Sequence, residues 1–216
     1  MSHLIITIDG PGGTGKSTVS QAVAGRLGIP YLDTGAFYRA ATLAAIAAGV
    51  ALDDTAALRE VVAKAEFDQV EGGMFLDGED VSERIRAQDV EAQVSRVAAN
   101  PEVRRILVAH QRSWAERHGH RAVIEGRDIG SVVFPDAGIK IYLDARPEVR
   151  AARRADQSGD DPESVHTKLE RRDKIDSSRE ASPLKVPPGA VVVDTTDRSF
   201  EEVVDEVMGL IDQLSA

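Results

Sequence analysis

The chain contains no cysteine, which excludes disulfide scaffolds, thiolate zinc sites and cysteine nucleophiles together. Long apolar runs are missing too. The longest stretch of small apolar residues, Ala40 to Leu52, is broken by Thr42 and Gly49 and falls short of the roughly 20 residues a spanning helix needs. No membrane span is expected. Positive charge is in deficit: 26 Lys and Arg stand against 36 Asp and Glu, a formal net charge of -10 at pH 7. A sequence-independent grip on nucleic acid needs a positive footprint, so no nucleic-acid partner is expected. Any anionic ligand must find a local positive pocket. The Met-Ser-His-Leu start lacks the basic region, apolar segment and small-residue cleavage site of a leader, which reads as cytoplasmic. Internal repeats, low-complexity tracts and coiled-coil heptads are also lacking, and the default expectation is a monomer.

What is present is the composition of one globular domain: 216 residues, 42% hydrophobic and 29% charged. Leu4 to Ile8 is a short apolar run of β-branched character, the pattern of a strand buried on both faces of a parallel sheet. Asp9 to Gly15 breaks it. From Ser17 to Leu27 the residues Val19, Val23, Ala24 and Leu27 fall at helical spacing, with Gly28 as a stop. Further strands are expected at Ala122 to Ile124, Ile139 to Leu143 and Ala190 to Val193, separated by helical patterns. This is an α/β fold with a parallel sheet core flanked by helices. Phe67 to Val81 alternates between glycine breaks and reads as small antiparallel strands inserted as a lobe. Asp156 to Pro162 reads as a mobile tip between two basic helical patterns. Ser199 to Leu214 reads as a packed terminal helix, and His110, His118, His120 and His166 as structural.

The segment Gly10-Pro11-Gly12-Gly13-Thr14-Gly15-Lys16-Ser17-Thr18 contains the eight-residue phosphate-binding pattern in its proper place, after a strand and before a helix. Glycines let backbone N–H groups turn inward around a triphosphate, and the helix start adds its positive end. Lys16 would reach the β- and γ-phosphates of ATP, and the Ser17 hydroxyl would hold Mg²⁺. A ligand-free glycine turn does not explain four glycines followed by Lys-Ser in this register. The loop alone leaves open a switch, a motor or a phosphoryl transfer.

Arginine-bearing segments point to a second anionic ligand. Asp33-Thr34-Gly35-Ala36-Phe37-Tyr38-Arg39 places Arg39 in the first turns of a helix, where it can grip phosphate bidentately. Glu125-Gly126-Arg127-Asp128 follows a strand at its carboxyl end. Arg150, Arg153 and Arg154 precede the tip; Arg171, Arg172, Asp173, Asp176 and Arg179 follow it. Any single arginine reads first as a solvated charge rather than a ligand, and Tyr38 equally as packing. Their number on both sides of a Gly/Pro tip suits a closing lid.

Together, Gly-Pro-x-Gly-x-Gly-Lys-Ser, Asp33-Thr34-Gly35-Ala36-x-Tyr38-Arg39, the string Glu125-Gly126-Arg127-Asp128-Ile129-Gly130-x-Val132-Val133-Phe134-Pro135-Asp136-Ala137 and Ser182-Pro183-Leu184 resemble the bacterial cytidylate kinases. The resemblance runs through nearly the whole chain. It implies a P-loop NTPase-type core, an insert of antiparallel strands that enlarges the NMP-binding region, and a short lid. Residues 1–216 then form a single kinase domain: core 1–63, 97–150 and 172–216, insert about 64–96, lid about 151–171. The implied substrates are ATP as donor and CMP or dCMP as acceptor. By motif, Arg39, Arg127 and Arg179 would bind the CMP phosphate, and Tyr38, Arg172 and Asp176 would lie around the sugar. Lys16, Arg127, Arg153 and Arg179 would offset charge on the transferring group.

Cytosine presents an amino donor at N4 and acceptors at N3 and O2, so its reader needs a carboxylate opposite the amino group and donors opposite the acceptors. The matching family positions are Asp128, Arg104 and Ser95, with Thr34 nearby. Uracil would turn O4 toward Asp128, acceptor against acceptor. Arg104 also reads as part of an ordinary helix start with exposed charges, and Glu125 as either a carboxylate behind the groups that hold Mg²⁺ or a loop hydrogen-bond acceptor. Two rivals remain: a regulatory nucleotide switch, and a kinase for a different small acceptor.

Overall fold

A computed structural model describes residues 4–70, 72–159, 161–179 and 182–215; Glu71, in the expected insert, and Asp160, in the expected tip, lie outside them. Along the chain run β1 (Leu4–Asp9), α1 (Lys16–Leu27), β2 (Tyr31–Asp33), α2 (Thr34–Ala47), α3 (Thr55–Lys64), β3 (Phe67–Val70), β4 (Gly73–Leu76) and β5 (Glu79–Asp80). After a tight turn at Arg84–Arg86 come α4 (Gln88–Glu91), α5 (Val94–Ala99), α6 (Pro101–Arg117), β6 (Arg121–Gly126), a single π-helical turn (Ile129–Val133), β7 (Ile139–Asp144), α7 (Pro147–Ser158), α8 (Pro162–Ser178), β8 (Val191–Asp194) and α9 (Phe200–Ser215). The chain divides into two compact units, one of Met1–Tyr31 with His120–Ala216 and one of Leu32–Gly119.

The five-stranded sheet is ordered β2-β6-β1-β7-β8, with β6, β1, β7 and β8 in the first unit. β1 pairs in parallel with β6 on one side and β7 on the other, Ile6 standing opposite both Val123 and Ile139. A strand with neighbours on both edges and helices over its faces meets no water, which is why Leu4 to Ile8 is almost wholly apolar. Ile6 and Ile8 join Val19 and Val23 of α1, Ile141 and Leu143 of β7, and Val203, Val204, Val207 and Ile211 of α9 in one core cluster. The acidic terminal segment is thus a packed helix. It starts at a reciprocal cap, in which Ser199 N donates to the Glu202 carboxylate at 2.8 Å and Glu202 N to the Ser199 hydroxyl at 3.2 Å.

β6 runs further than its apolar residues suggest. Its pairing continues to Asp9 opposite Gly126, so Glu125 lies within the strand rather than after it. The two helices beside the expected tip leave it short: α7 ends on Gly159 in the left-handed conformation, and α8 begins at Pro162 with Asp161 accepting from Ser164 N at 2.9 Å.

The second unit packs helices α2, α3 and α6 with the antiparallel sheet β3-β4-β5, which occupies the glycine-broken stretch from Phe67. Asp33, Asp54 and Asn100 cap α2, α3 and α6 with their side-chain oxygens. Trp114 Nε1 donates to the Gln69 carbonyl at 2.9 Å, tying α6 to β3. Among the described residues no helix is long and apolar enough to cross a membrane.

Candidate active site

The phosphate loop leaves β1 at Gly10, whose φ is 148° and where an added Cβ would run into the Leu143 carbonyl. Gly13, with φ 82°, lies so close to α7 that a Cβ would meet the Arg150 carbonyl oxygen at 2.7 Å. Only glycine tolerates both the dihedral and the approach. No side chain caps α1 and no acidic residue sits in its first turn, so its leading amides suit a phosphate rather than a protein partner. Ser17 and Thr18 are exposed at that end.

Lys16 folds back over the loop and donates to the Pro11 carbonyl at 2.6 Å. Burial, reinforced by the charge of Arg127 and partly countered by Glu125, pushes its pKa down to about 7. Such an amine is short of counter-charge, and a polyphosphate supplies it. Glu125 is 3% exposed, and its Oε1 accepts from the Tyr31 hydroxyl at 2.6 Å. The donor set beside Lys16, the Ser17 hydroxyl and the Glu125 carboxylate, is all oxygen and fits a hard dication.

Next to the loop stands a cationic cluster. Four guanidinium groups, of Arg127, Arg150, Arg172 and Arg179, converge on two carboxylates, Asp173 and Asp176. Asp176 is fully buried; Arg127 Nε lies 2.8 Å from its Oδ2, Arg172 Nε lies 4.0 Å from the same oxygen, and Arg179 pairs with Oδ1. Asp173 accepts from Arg150 at 2.5 Å and lies 3.6 Å from Arg127. Both Asp176 oxygens are thus held by guanidinium groups. Four cations against two anions leave a positive excess in a chain whose net charge is -10. The cluster faces the loop directly: a Cβ on Gly12 would stand 3.3 Å from Arg127 Nη2, and Arg150 Nη1 donates to the Gly12 carbonyl at 3.0 Å.

Arg153 sits elsewhere. It donates to the Thr195 hydroxyl at 2.9 Å and the Thr195 carbonyl at 2.6 Å, and that hydroxyl donates to the Thr14 carbonyl of the loop at 3.2 Å. The α7 helix is thereby tied to the phosphate loop through the end of β8. Asp128, 4% exposed, opens the π-helical turn, its carbonyl accepting from Val132 N at 2.9 Å.

In the second unit, Arg39 Nε donates to Glu91 at 3.4 Å, and Thr34 and Tyr38 are buried on the same helix. Ser95 is half-buried on α5. Arg104 is not an exposed helix-start charge: only 4% of it is exposed, its Nη1 donates to the Ala98 carbonyl at 3.0 Å, and its guanidinium lies 5.1 Å from the Tyr38 ring centre.

Three residues escape a reading of the sequence. Asp9 appears there only as the break after an apolar strand, yet its carboxylate accepts from Ile129 N and Gly130 N, both at 2.8 Å. Burial raises its pKa to about 7 despite those two bonds. Tyr31 and Thr195 carry no motif at all. The one available signal was the lone charge ending an otherwise apolar core strand.

A parallel sheet with a phosphate loop at the end of its central strand, and a cationic cluster against that loop, defines a P-loop protein of the phosphoryl-transfer class. The sequence model of the cytidylate kinase family matches residues 6–213, and the chain belongs to that family. A cytidylate kinase from Mycobacterium leprae (strain Br4923) is 48% identical over 100% of this chain and 98% of its own length. One from Nocardia farcinica (strain IFM 10152) is 48% identical over 97% of this chain and 94% of its own. Among solved structures, an uncharacterized protein from Eubacterium ventriosum ATCC 27560 shares the fold, with a TM-score of 0.58 at 14% identity, covering 98% of this chain and 99% of that one.

Proposed function

We propose that this chain transfers the γ-phosphate of ATP to CMP or dCMP, giving ADP and CDP or dCDP. The observation that carries the reading is the excess of arginine charge held against Gly12 of the phosphate loop, a place for a second phosphate beside the first. Family membership supports the nucleotide class. A phosphate oxygen of the acceptor attacks the γ-phosphorus in line, the bond from that phosphorus to the β,γ-bridging oxygen breaks, and ADP leaves with the electron pair. The acceptor oxygen is already ionised, so no strong general base is needed and no covalent enzyme intermediate forms.

Residues Gly10 to Thr18 hold the ATP phosphates. Lys16, Arg127 and Arg179 offset charge on the transferring group, and closure of a lid over about 151–171 brings Arg153 to join them and excludes water. Ser17, with Glu125 behind it, would hold Mg²⁺, which would supply charge screening on the donor phosphates.

Arg127 and Arg179 grip the acceptor phosphate, and the family likeness adds Arg39. By the family likeness, Asp176 and Arg172 serve the sugar, with Tyr38. Asp128 accepts from the cytosine amino group, and Arg104 and Ser95, with Thr34 nearby, donate to N3 and O2. The second unit's residues owe these roles to the family likeness. The protein acts on small molecules in the cytoplasm, as a monomer.

The test is ADP production from Mg-ATP with CMP, dCMP, UMP, AMP, GMP or no acceptor. Stimulation by CMP and dCMP far above the others is expected. Hydrolysis indifferent to every monophosphate would indicate a switch instead, and stimulation by another monophosphate alone would discard the cytidylate reading.

A further inference from the structure

We propose that Asp9 is a positioning residue for acceptor selection: its carboxylate seats the turn that begins after Asp128 and so sets where the base-reading carboxylate stands relative to the phosphate loop. The proposal rests on the assignment of Asp128 to the cytosine amino group.

Asp9 is the last residue of β1 and the residue before Gly10, so it is rigidly coupled to the donor site. It is fully buried and is the lone charge in a strand of Leu, Ile and Thr. Burying a carboxylate there is costly, and a strand needs none. What offsets the cost is a bidentate arrangement: Oδ1 accepts from Ile129 N and Oδ2 from Gly130 N, each at 2.8 Å.

Those two amides open the π-helical turn Ile129–Val133, and the first amides of any helical turn have no partner within it. Asp128 immediately precedes the turn, and its carbonyl accepts from Val132 N at 2.9 Å and Val133 N at 3.3 Å, so its backbone moves with the turn as one piece. Arg127 is the next residue back. The turn also lies flat on β1: a Cβ on Gly130 would meet the Thr7 hydroxyl at 2.8 Å and Pro187 at 3.2 Å. A turn seated this tightly has one height above the strand, and Asp9 holds it there.

A merely structural carboxylate would weaken donor and acceptor binding together. A positioning one acts on the acceptor alone, because the phosphate loop's own amides are untouched. Asp9→Asn keeps the size but sets an amide N–H₂ against one of the two backbone donors. The expected result is a fall of tenfold or more in the CMP-to-UMP ratio of kcat/KM, with the KM for ATP changed less than twofold. Gly130→Ala, which lifts the turn off Thr7 and stretches its bond to Asp9 while leaving the carboxylate in place, should lower the same ratio and stands in if Asp9→Asn does not fold. An unchanged ratio in either folded variant, or equal losses for ATP and CMP, would overturn the proposal. Asp128→Asn is measured alongside. If it shifts the ratio while Asp9→Asn does not, the positioning role fails and the base assignment stands; if Asp128→Asn leaves the ratio unchanged, both fail.

Discussion

Arg127 Nε lies 2.8 Å from Asp176 Oδ2, and the carboxylate it meets is wholly out of water. An arginine held this way is oriented before any ligand arrives. The entropy of ordering a long side chain has been lost at folding rather than at binding. The same carboxylate holds Arg179, so one buried anion aims two of the guanidiniums assigned to the acceptor phosphate.

Asp176→Asn removes the counter-charge and leaves the surrounding arginines repelling one another. Breaking a buried ion pair typically costs about 3–5 kcal/mol, so urea melts should show a loss of that order. Sulfate should recover part of it, since the variant's cluster lacks an anion. A stability equal to the parent's, with or without sulfate, would contradict the organising role of Asp176.

Lys16 stands near neutrality in the nucleotide-free protein, pushed down to about 7 by burial and by Arg127. A triphosphate pressed against it restores its charge, so at pH 8 ATP binding should take up as much as about one proton. Calorimetry in buffers of different ionisation enthalpy reads this directly, and Lys16→Ala should abolish it and lower turnover by about 100-fold or more. Proton-neutral binding at pH 8 would refute the suppressed amine.

The same shifts fix a stability profile. Between about pH 7 and 10.5 the unfolded chain keeps the Lys16 proton that the folded one has lost, so this group's contribution rises with pH. Asp9 works in the opposite sense: between 3.8 and about 7 the folded chain keeps a proton the unfolded one has lost, and stability falls as pH rises. These two groups together place a minimum near pH 7, which Lys16→Ala should flatten on its alkaline side. Urea melts across pH 5 to 9 with no such difference between parent and variant would count against it.

Arg153→Ala removes the bonds to Thr195 and, through that hydroxyl, loosens α7 from Thr14. Turnover should fall by about tenfold or more, with a smaller change in the KM for ATP, because closure and charge placement suffer more than ground-state contacts. Steady-state kinetics with saturating CMP decides it. Unaltered turnover would take Arg153 out of the closing set.

The features legible in the sequence are those whose cause is local. Gly10 to Ser17 can be recognised because the loop needs particular dihedrals and amides at successive positions, and all of them come from consecutive residues. β1 is legible because a strand with neighbours on both edges is mostly apolar, and the inserted lobe because glycine breaks punctuate its short strands. Arg104 shows the limit. Beside Pro101 and Glu102 it reads as a helix-start charge, whereas its burial against Tyr38 depends on where α2 and α6 meet.

The sequence by itself determined the phosphate loop, the alternation of strand and helix, the family, and the supply of arginines around the expected lid. The tertiary structure decided which of those arginines act together: Arg150 is anchored on Gly12, Arg127 and Arg179 gather on Asp176, and Arg153 is drawn away to Thr195. It also decided that Asp9 meets two amides 120 and 121 residues downstream. The physical reason is that a residue's type states which bonds it can make, while its partner is chosen by strand register and helix packing, which bring together positions the chain keeps far apart.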